Sequence, residues 1–242
     1  MPDTILSITG LSKHFGGLQA VNDFNLEVEK GSVHGLIGPN GAGKTTTFDL
    51  ITGFDVPSKG DIHFSGKSIA GMKPHEICKL GITRTFQQAK PLFGMTILEN
   101  IAVGGLNSHK RLKDALALSE EVMCFLGLEK YRDVLAENIP IGYRKVLEIA
   151  KCLATKPQLL LLDEGMAGLN PSEMQMVLGK IRNIQQQGIT VLLIEHVMEA
   201  VMSVCDRTTV LNFGVKLCEG TPREVVSDAR VIDAYLGEEI VE

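Results

Sequence analysis

No apolar stretch in this 242-residue chain approaches the run of about eighteen residues that a membrane-spanning helix requires. The segment Met1 to Ser7 lacks both the basic flank and the apolar core of a secretory signal, so the chain is expected to work as a soluble protein in the cytoplasm. Its five cysteines, Cys78, Cys124, Cys152, Cys205 and Cys218, are odd in number, widely spaced and without a C-x-x-C pair. That pattern argues against a disulfide framework and against a zinc site, and most of the five are expected to be small core residues in a reducing compartment. Basic charge is not in excess either. A net charge of −5 gives no whole-chain attraction to nucleic acid or anionic lipid and leaves only a local basic patch open. Internal repeats, low-complexity tracts and coiled-coil heptads are also missing. Hydrophobic and charged contents of 44% and 22% are those of an ordinary globular protein, long enough for one large domain or two small ones.

What is present is one dense motif. Gly38-Pro39-Asn40-Gly41-Ala42-Gly43-Lys44-Thr45, followed by Thr46, matches G-x-x-x-x-G-K-[ST]. It follows the apolar run from Val33 to Ile37 and opens a segment from Lys44 to Ile51 that reads as a helix closed by Gly53. Glycines let the backbone curl with its N–H groups inward, where with the positive end of the helix they surround β- and γ-phosphates. Lys44 adds a positive charge there, and the Thr45 hydroxyl can ligate the accompanying Mg²⁺. The strand, loop and helix context separates this reading from a chance glycine-rich loop and predicts a nucleoside triphosphate site.

The remaining elements suggest an α/β chain. Short apolar runs from Ile5 to Glu29, broken at Gly16-Gly17, and a strand from Gly60 to Gly66 predict an antiparallel sheet beside the phosphate loop. Leu112, Ala115, Leu116, Val122, Phe125 and Leu126 recur at helical spacing within residues 88–150, which read as a helical insertion. Leu159 to Leu162 and Ile189 to Ile194 are apolar throughout, as parallel strands covered on both faces are. Between them Asn170 can cap a helix, Pro171 suits its first position, Glu173 can close the capping box and Gln187-Gly188 ends it. Strand, helix and strand in that order predict a right-handed crossover.

Hydrolysis needs a metal ligand and a group to polarise water at the carboxyl end of such strands. Asp163 and Glu164 follow the four leucines: Asp163 is expected in the Mg²⁺ shell, and Glu164 is expected to accept a hydrogen bond or proton from the attacking water. An Asp-Glu pair can also merely cap a turn, and the phosphate loop upstream favours the catalytic reading. His196, after Glu195 at the end of the next strand, is placed to bond the γ-phosphate. His14, His34, His63, His75 and His109 show no comparable grouping and read as surface or satisfied structural residues.

Taken in order, these motifs resemble the nucleotide-binding subunits of ATP-binding-cassette transporters over essentially the full chain. The resemblance implies a P-loop (RecA-like) core with a parallel sheet, a flanking antiparallel β part and an inserted helical part. Residues 1–242 are then one ATPase cassette, with 1–87 and 151–242 as the nucleotide-binding part and 88–150 as the helical part. It implies that Phe15 stacks on adenine, that Gln87 touches Mg²⁺ and relays to the helical part, and that Asn170 faces an opposing subunit. Thr83-Arg84-Thr85-Phe86-Gln87, Leu147-Glu148-Ile149-Ala150, Ala167 to Pro171 and the tail Val231 to Gly237 look more specifically like the ATP-binding subunits of branched-chain amino-acid importers. Urea and amide importers share those features, and lipopolysaccharide-export ATPases do so more distantly. The implied partners are a second ATP-binding subunit, transmembrane permease subunits contacted around Gln87 to Leu98 and, indirectly, an external substrate-binding protein. The implied place is the inner face of the membrane. Nucleic-acid cassettes and a regulatory nucleotide sensor are the competing classes; a single compact cassette and net negative charge oppose the first, while Glu164 and His196 oppose the second.

One motif departs from the family. Its signature, resembling Leu-Ser-Gly-Gly-Gln, is here Ile139-Pro140-Ile141-Gly142-Tyr143. Gly142 is kept, but Pro140 stands where a serine would bond the partner's γ-phosphate, and it has neither a side-chain donor nor an N–H. Such a charge-assisted bond is worth about 1.5–3 kcal/mol. Gly165 likewise replaces the proline usual after the catalytic pair, which predicts a looser turn. A head-to-tail homodimer would then have two impaired sites. A heterodimer with an intact partner signature would keep the site built on Lys44 competent.

Overall fold

Alternation of apolar and polar residues in the N-terminal region produces long antiparallel strands, and the uniformly apolar runs produce short buried parallel ones. The computed structural model describes residues 3–87 and 91–236. In chain order its elements are β1 (Thr4–Phe15), β2 (Leu18–Glu29), β3 (Val33–Ile37), α1 (Lys44–Thr52), β4 (Lys59–Phe64), β5 (Lys67–Ser68), α2 (Pro74–Leu80) and β6 (Ile82–Arg84). Then follow α3 (Ile97–Ser108), α4 (Leu112–Leu126), α5 (Ile141–Leu153), β7 (Leu159–Asp163), α6 (Pro171–Gln186) and β8 (Thr190–Ile194). The chain continues through α7 (Met198–Val204), β9 (Arg207–Asn212), β10 (Val215–Gly220), α8 (Pro222–Val226) and α9 (Ala229–Leu236).

Among the described residues the strands form two sheets. One runs β2-β1-β4-β5 and is antiparallel; the other runs β10-β9-β3-β8-β7-β6. In the second, β3 lies between β8 and β9, and β7 lies between β8 and β6, all parallel, with β10 antiparallel on the edge. The fold is therefore α/β as expected. Every residue of β3, β7 and β8 is buried, so each strand is covered on both faces. The larger core cluster gathers β7, β8, α5 and α6 with the helices of the middle region, and the second gathers β1, β2 and β4 around Phe24, Phe48 and Ile62.

Helix ends follow the local signals. Asn170 accepts from the Glu173 N–H at 3.0 Å while the Glu173 carboxylate accepts from the Asn170 N–H at 3.1 Å, with Pro171 leading α6. Gly53 closes α1 with a left-handed φ of 74°. In the middle region α3, α4 and α5 pack on one another, and α3 starts with a second capping box, Thr96 with Glu99. The periodic residues of α4 divide: Ala115, Val122 and Leu126 are buried, Leu116 and Phe125 partly so, and Leu112 in the first turn is exposed. The division expected at residue 150 falls inside α5. Of the surface expected around Gln87 to Leu98, residues 88–90 lie outside the described residues, as does Gly237 of the tail.

The cysteine expectation needs correction. Only Cys152 and Cys205 are buried; Cys78 and Cys218 are half-buried and Cys124 is exposed. A wide spacing along the chain does not report which face of a helix or strand a residue takes.

His34 in β3 is a satisfied core histidine, bonded to the Thr209 hydroxyl at 2.9 Å. Burial pushes its imidazole from 6.5 down to about 4. Below pH 6.5 the unfolded imidazole takes a proton while the folded one refuses it down to about pH 4, so stability falls as pH drops through that window. We expect about 3 kcal/mol of acid destabilisation to disappear in His34→Leu relative to the native chain, read from urea titrations at pH 7 and pH 4. Equal acid sensitivity in both proteins would show that His34 is not the group responsible.

Candidate functional site

The phosphate loop leaves the carboxyl end of β3, and its shape is set by places where no side chain fits. A Cβ on Gly38 would stand 1.9 Å from the Leu211 carbonyl oxygen in β9, and one on Gly43 would stand 2.4 Å from the Ala20 carbonyl oxygen in β2. Gly43 also has φ of 101°, which L-residues avoid, immediately before α1. The loop is thus pressed between both sheets, and α1 points its positive end at the space above it. Lys44, buried at 6% exposure, donates to the carbonyl oxygens of Gly38 at 2.6 Å and Pro39 at 2.7 Å.

That space is a cleft of about 480 Å³. Phe15, Asn40, Gly41, Ala42, Gly43, Lys44, Thr45, Thr46, Gln87 and Glu164 line it, so ten of the expected site residues meet there. Gly38 and Pro39 lie beneath it as acceptors for Lys44. On one wall the Gln87 amide donates to the Glu164 carboxylate at 2.6 Å, which joins two residues 77 positions apart. Lys145 of α5 reaches the carbonyl oxygens of both, at 3.3 and 3.4 Å. Phe15 is 48% exposed on the opposite wall, with the Lys13 ammonium 4.8 Å from its ring centroid.

Asp163 does not line this cleft. Its carboxylate accepts from the Arg84 guanidinium at 2.6 Å, and the same guanidinium grips Asp49 of α1. Burial pushes the Asp163 carboxyl up while the bond to Arg84 opposes that shift. His196 is exposed, two residues beyond β8, and does not line the cleft either. Gly142 and Asn170 lie elsewhere and close to each other: Gly142 is buried in the first turn of α5, where a Cβ would stand 3.0 Å from the Glu173 side chain of the α6 capping box. Pro140 is the N-cap of α5 and makes no side-chain cap bond.

Sequence reasoning missed Leu18, Gln19, Ala20 and Phe213 in the cleft wall. Phe213 sits at the tight turn between β9 and β10 with φ of 45° and 85% exposure. The turn signal Asn212-Phe213-Gly214 was available, but its nearness to the loop depends on β9 lying beside β3. Arg84 was missed as well. It ends β6 and is buried between two carboxylates and the rings of Phe48 and Phe86.

Comparison with known proteins identifies the family. Residues 21–167 match the family described as ABC transporter. The chain therefore belongs to the ABC transporter family, whose ATP-binding subunits are ATPases. Residues 215–241 match a second family, described as branched-chain amino acid ATP-binding cassette transporter. Among relatives, the high-affinity branched-chain amino acid transport ATP-binding protein BraF of Pseudomonas aeruginosa is 39% identical, covering 98% of this chain and 100% of the relative. The probable branched-chain amino acid transport ATP-binding protein LivG of Archaeoglobus fulgidus is 36% identical, covering 96% and 95%. Among solved structures, an ATP-binding cassette of an ABC transporter in its ADP conformation superposes with a TM-score of 0.90 at 32% identity, covering 97% of this chain and 99% of the other. A nucleotide-free cassette superposes with 0.89 at 31% identity, covering 96% and 98%.

The Arg84 arrangement is directly testable. Arg84→Met leaves Asp163 buried without its counter-charge and is expected to cost about 3–5 kcal/mol in urea denaturation. Adding Asp163→Asn should recover part of that loss. A single variant as stable as the native chain would contradict the assignment.

Proposed function

We propose that the chain is the ATP-hydrolysing subunit of an importer for branched-chain amino acids, seated on the inner face of the membrane against permease subunits. The observation that carries the reading is the meeting of Lys44 and Thr45 with Gln87 and Glu164 across one cleft. The amino-acid assignment rests on the named relatives and on the C-terminal match. No helix among the described residues is long and apolar enough to cross a membrane, so transport needs separate spanning subunits. An external binding protein would select the substrate, which this chain does not touch. Residues 1–242 act as one cassette, with 1–87 and 151–242 binding nucleotide and 88–150 as the helical part.

ATP lies with its phosphates over the loop from Gly38 to Thr46 and its adenine against Phe15. The hydroxyl of Thr45 and the amide of Gln87 are hard oxygen donors in the same cleft, which fits a Mg²⁺ ion that takes its other ligands from phosphates and water. Thr45 and Gln87 would hold the ion, with the expected third ligand, Asp163, engaged by Arg84 outside the cleft, and Mg²⁺ would supply charge neutralisation on the β- and γ-phosphates. Glu164 accepts a hydrogen bond from the attacking water and takes its proton as the water oxygen bonds to phosphorus and the bond to the ADP oxygen breaks. His196 stabilises the charge on the transferred group, at the end of the strand beside Glu164. Closure of two cassettes on ATP drives the permease, and hydrolysis resets it.

The second cassette is a different chain with an intact signature. Pro140 as the N-cap of α5 supports this, because it leaves the signature without a hydroxyl. Gly142 and Asn170 face the partner. The subunit alone is expected to turn over ATP far more slowly than the reconstituted pair; equal rates would remove the case for a heterodimer. Glu164→Gln is expected to lower kcat in that pair by about 10²–10⁴-fold while ATP still binds. Retained turnover would mean that another group activates water.

A further inference from the structure

Glu195 is wholly buried at the carboxyl end of β8, and no step of the hydrolysis described above uses it. One carboxylate oxygen accepts from the Met166 N–H at 2.8 Å, and the backbone N–H groups of Val197 and His196 also favour the charged carboxylate. A buried carboxylate of this kind is costly to keep.

The bond lands on the turn that carries Glu164. Glu164 has φ of 46°, a conformation that L side chains avoid, so the turn persists only where its surroundings hold it. The Glu164 N–H donates to the Ile194 carbonyl at 3.0 Å. At Gly165 a Cβ would meet nothing within 4 Å, so this residue supplies no packing of its own. The turn is therefore stitched to the end of β8 on both sides of Gly165, by backbone at Glu164 and by the Glu195 side chain at Met166. Met166 is itself 2% exposed, which anchors the far side in the core.

We propose that Glu195 is a positioning residue for hydrolysis, its hydrogen bond to the Met166 N–H clamping the turn that aims Glu164 into the cleft. The proposal rests on the reading of Glu164 as the group that aligns water. It gives the carboxyl a task that a glutamine can share, because an amide oxygen also accepts from Met166. Burial pushes the Glu195 carboxyl up, consistent with a role that needs an acceptor and not a full charge.

The test compares Glu195→Gln, Glu195→Asp and Glu195→Leu in the assembled transporter, with Glu164→Gln alongside, by steady-state hydrolysis, ATP affinity and melting temperature. The clamp predicts that Gln keeps turnover. Asp, which withdraws the acceptor by one methylene, and Leu should lower kcat by about ten- to a hundredfold with KM for ATP unchanged. Should Leu fail to fold, Asp carries the comparison. Native kcat in the Asp variant, an equal loss in Gln, or a drop in melting temperature with kcat intact would overturn the clamp. Full turnover in Glu164→Gln would overturn the underlying reading of Glu164, whereas an inactive Glu164→Gln beside an unaffected Glu195→Asp removes the clamp alone.

Discussion

Backbone contact without side chains, at the phosphate loop, is the constraint on which the molecule is organised. Gly38 lies against the Leu211 carbonyl of β9, and Gly43 lies against the Ala20 carbonyl of β2. The turn after β9 completes the junction: the Gly214 N–H donates to the Ala42 carbonyl at 2.9 Å, and the Asn22 N–H donates to the Gly214 carbonyl at 2.8 Å. The antiparallel sheet, the parallel sheet and the loop are thereby joined at one point. Any larger residue at Gly38 or Gly43 would move a strand as well as the loop. The cleft inherits its walls from both sheets, Phe15 from one and Phe213 and Glu164 from the other.

Charge is arranged in two layers beneath and beside that cleft. Below, Arg84 ties α1 to β7 through Asp49 and Asp163, so that the helix after the glycine loop and the strand leading to Glu164 share one buried cation. Beside it, Gln87 bonds the Glu164 carboxylate, and Lys145 spans the backbone of both. Lys145 belongs to α5, which also begins with the altered signature. A shift of that helix would thus reach Glu164 directly, a short physical route between the first turn of α5 and the cleft wall.

Much of this was legible from local sequence. The glycines and Lys44, the all-apolar β7 and β8, and the capping residues Asn170, Pro171 and Glu173 each follow from rules that act within a few residues. What was not legible depends on which strands become neighbours. Arg84 reads as an ordinary charge in Thr83-Arg84-Thr85 until β6 pairs with β7 and brings it to Asp163. Phe213 reads as a turn residue until β9 pairs with β3. Glu195 passes unnoticed next to His196 because its partner is a backbone N–H on another strand's turn. The same cause explains why Asp163 was expected at the cleft: the motif gives its distance from Glu164 along the chain but not the guanidinium that engages it.

The central claim is that a polyphosphate tail is held in the cradle around Lys44, and calorimetry on the folded chain tests it most directly. Titration of ATP with Mg²⁺ should give saturable heat at one site per chain, displaced by ADP and abolished in Lys44→Ala. No heat from well-folded native protein, or equal heat from Lys44→Ala, would contradict the account.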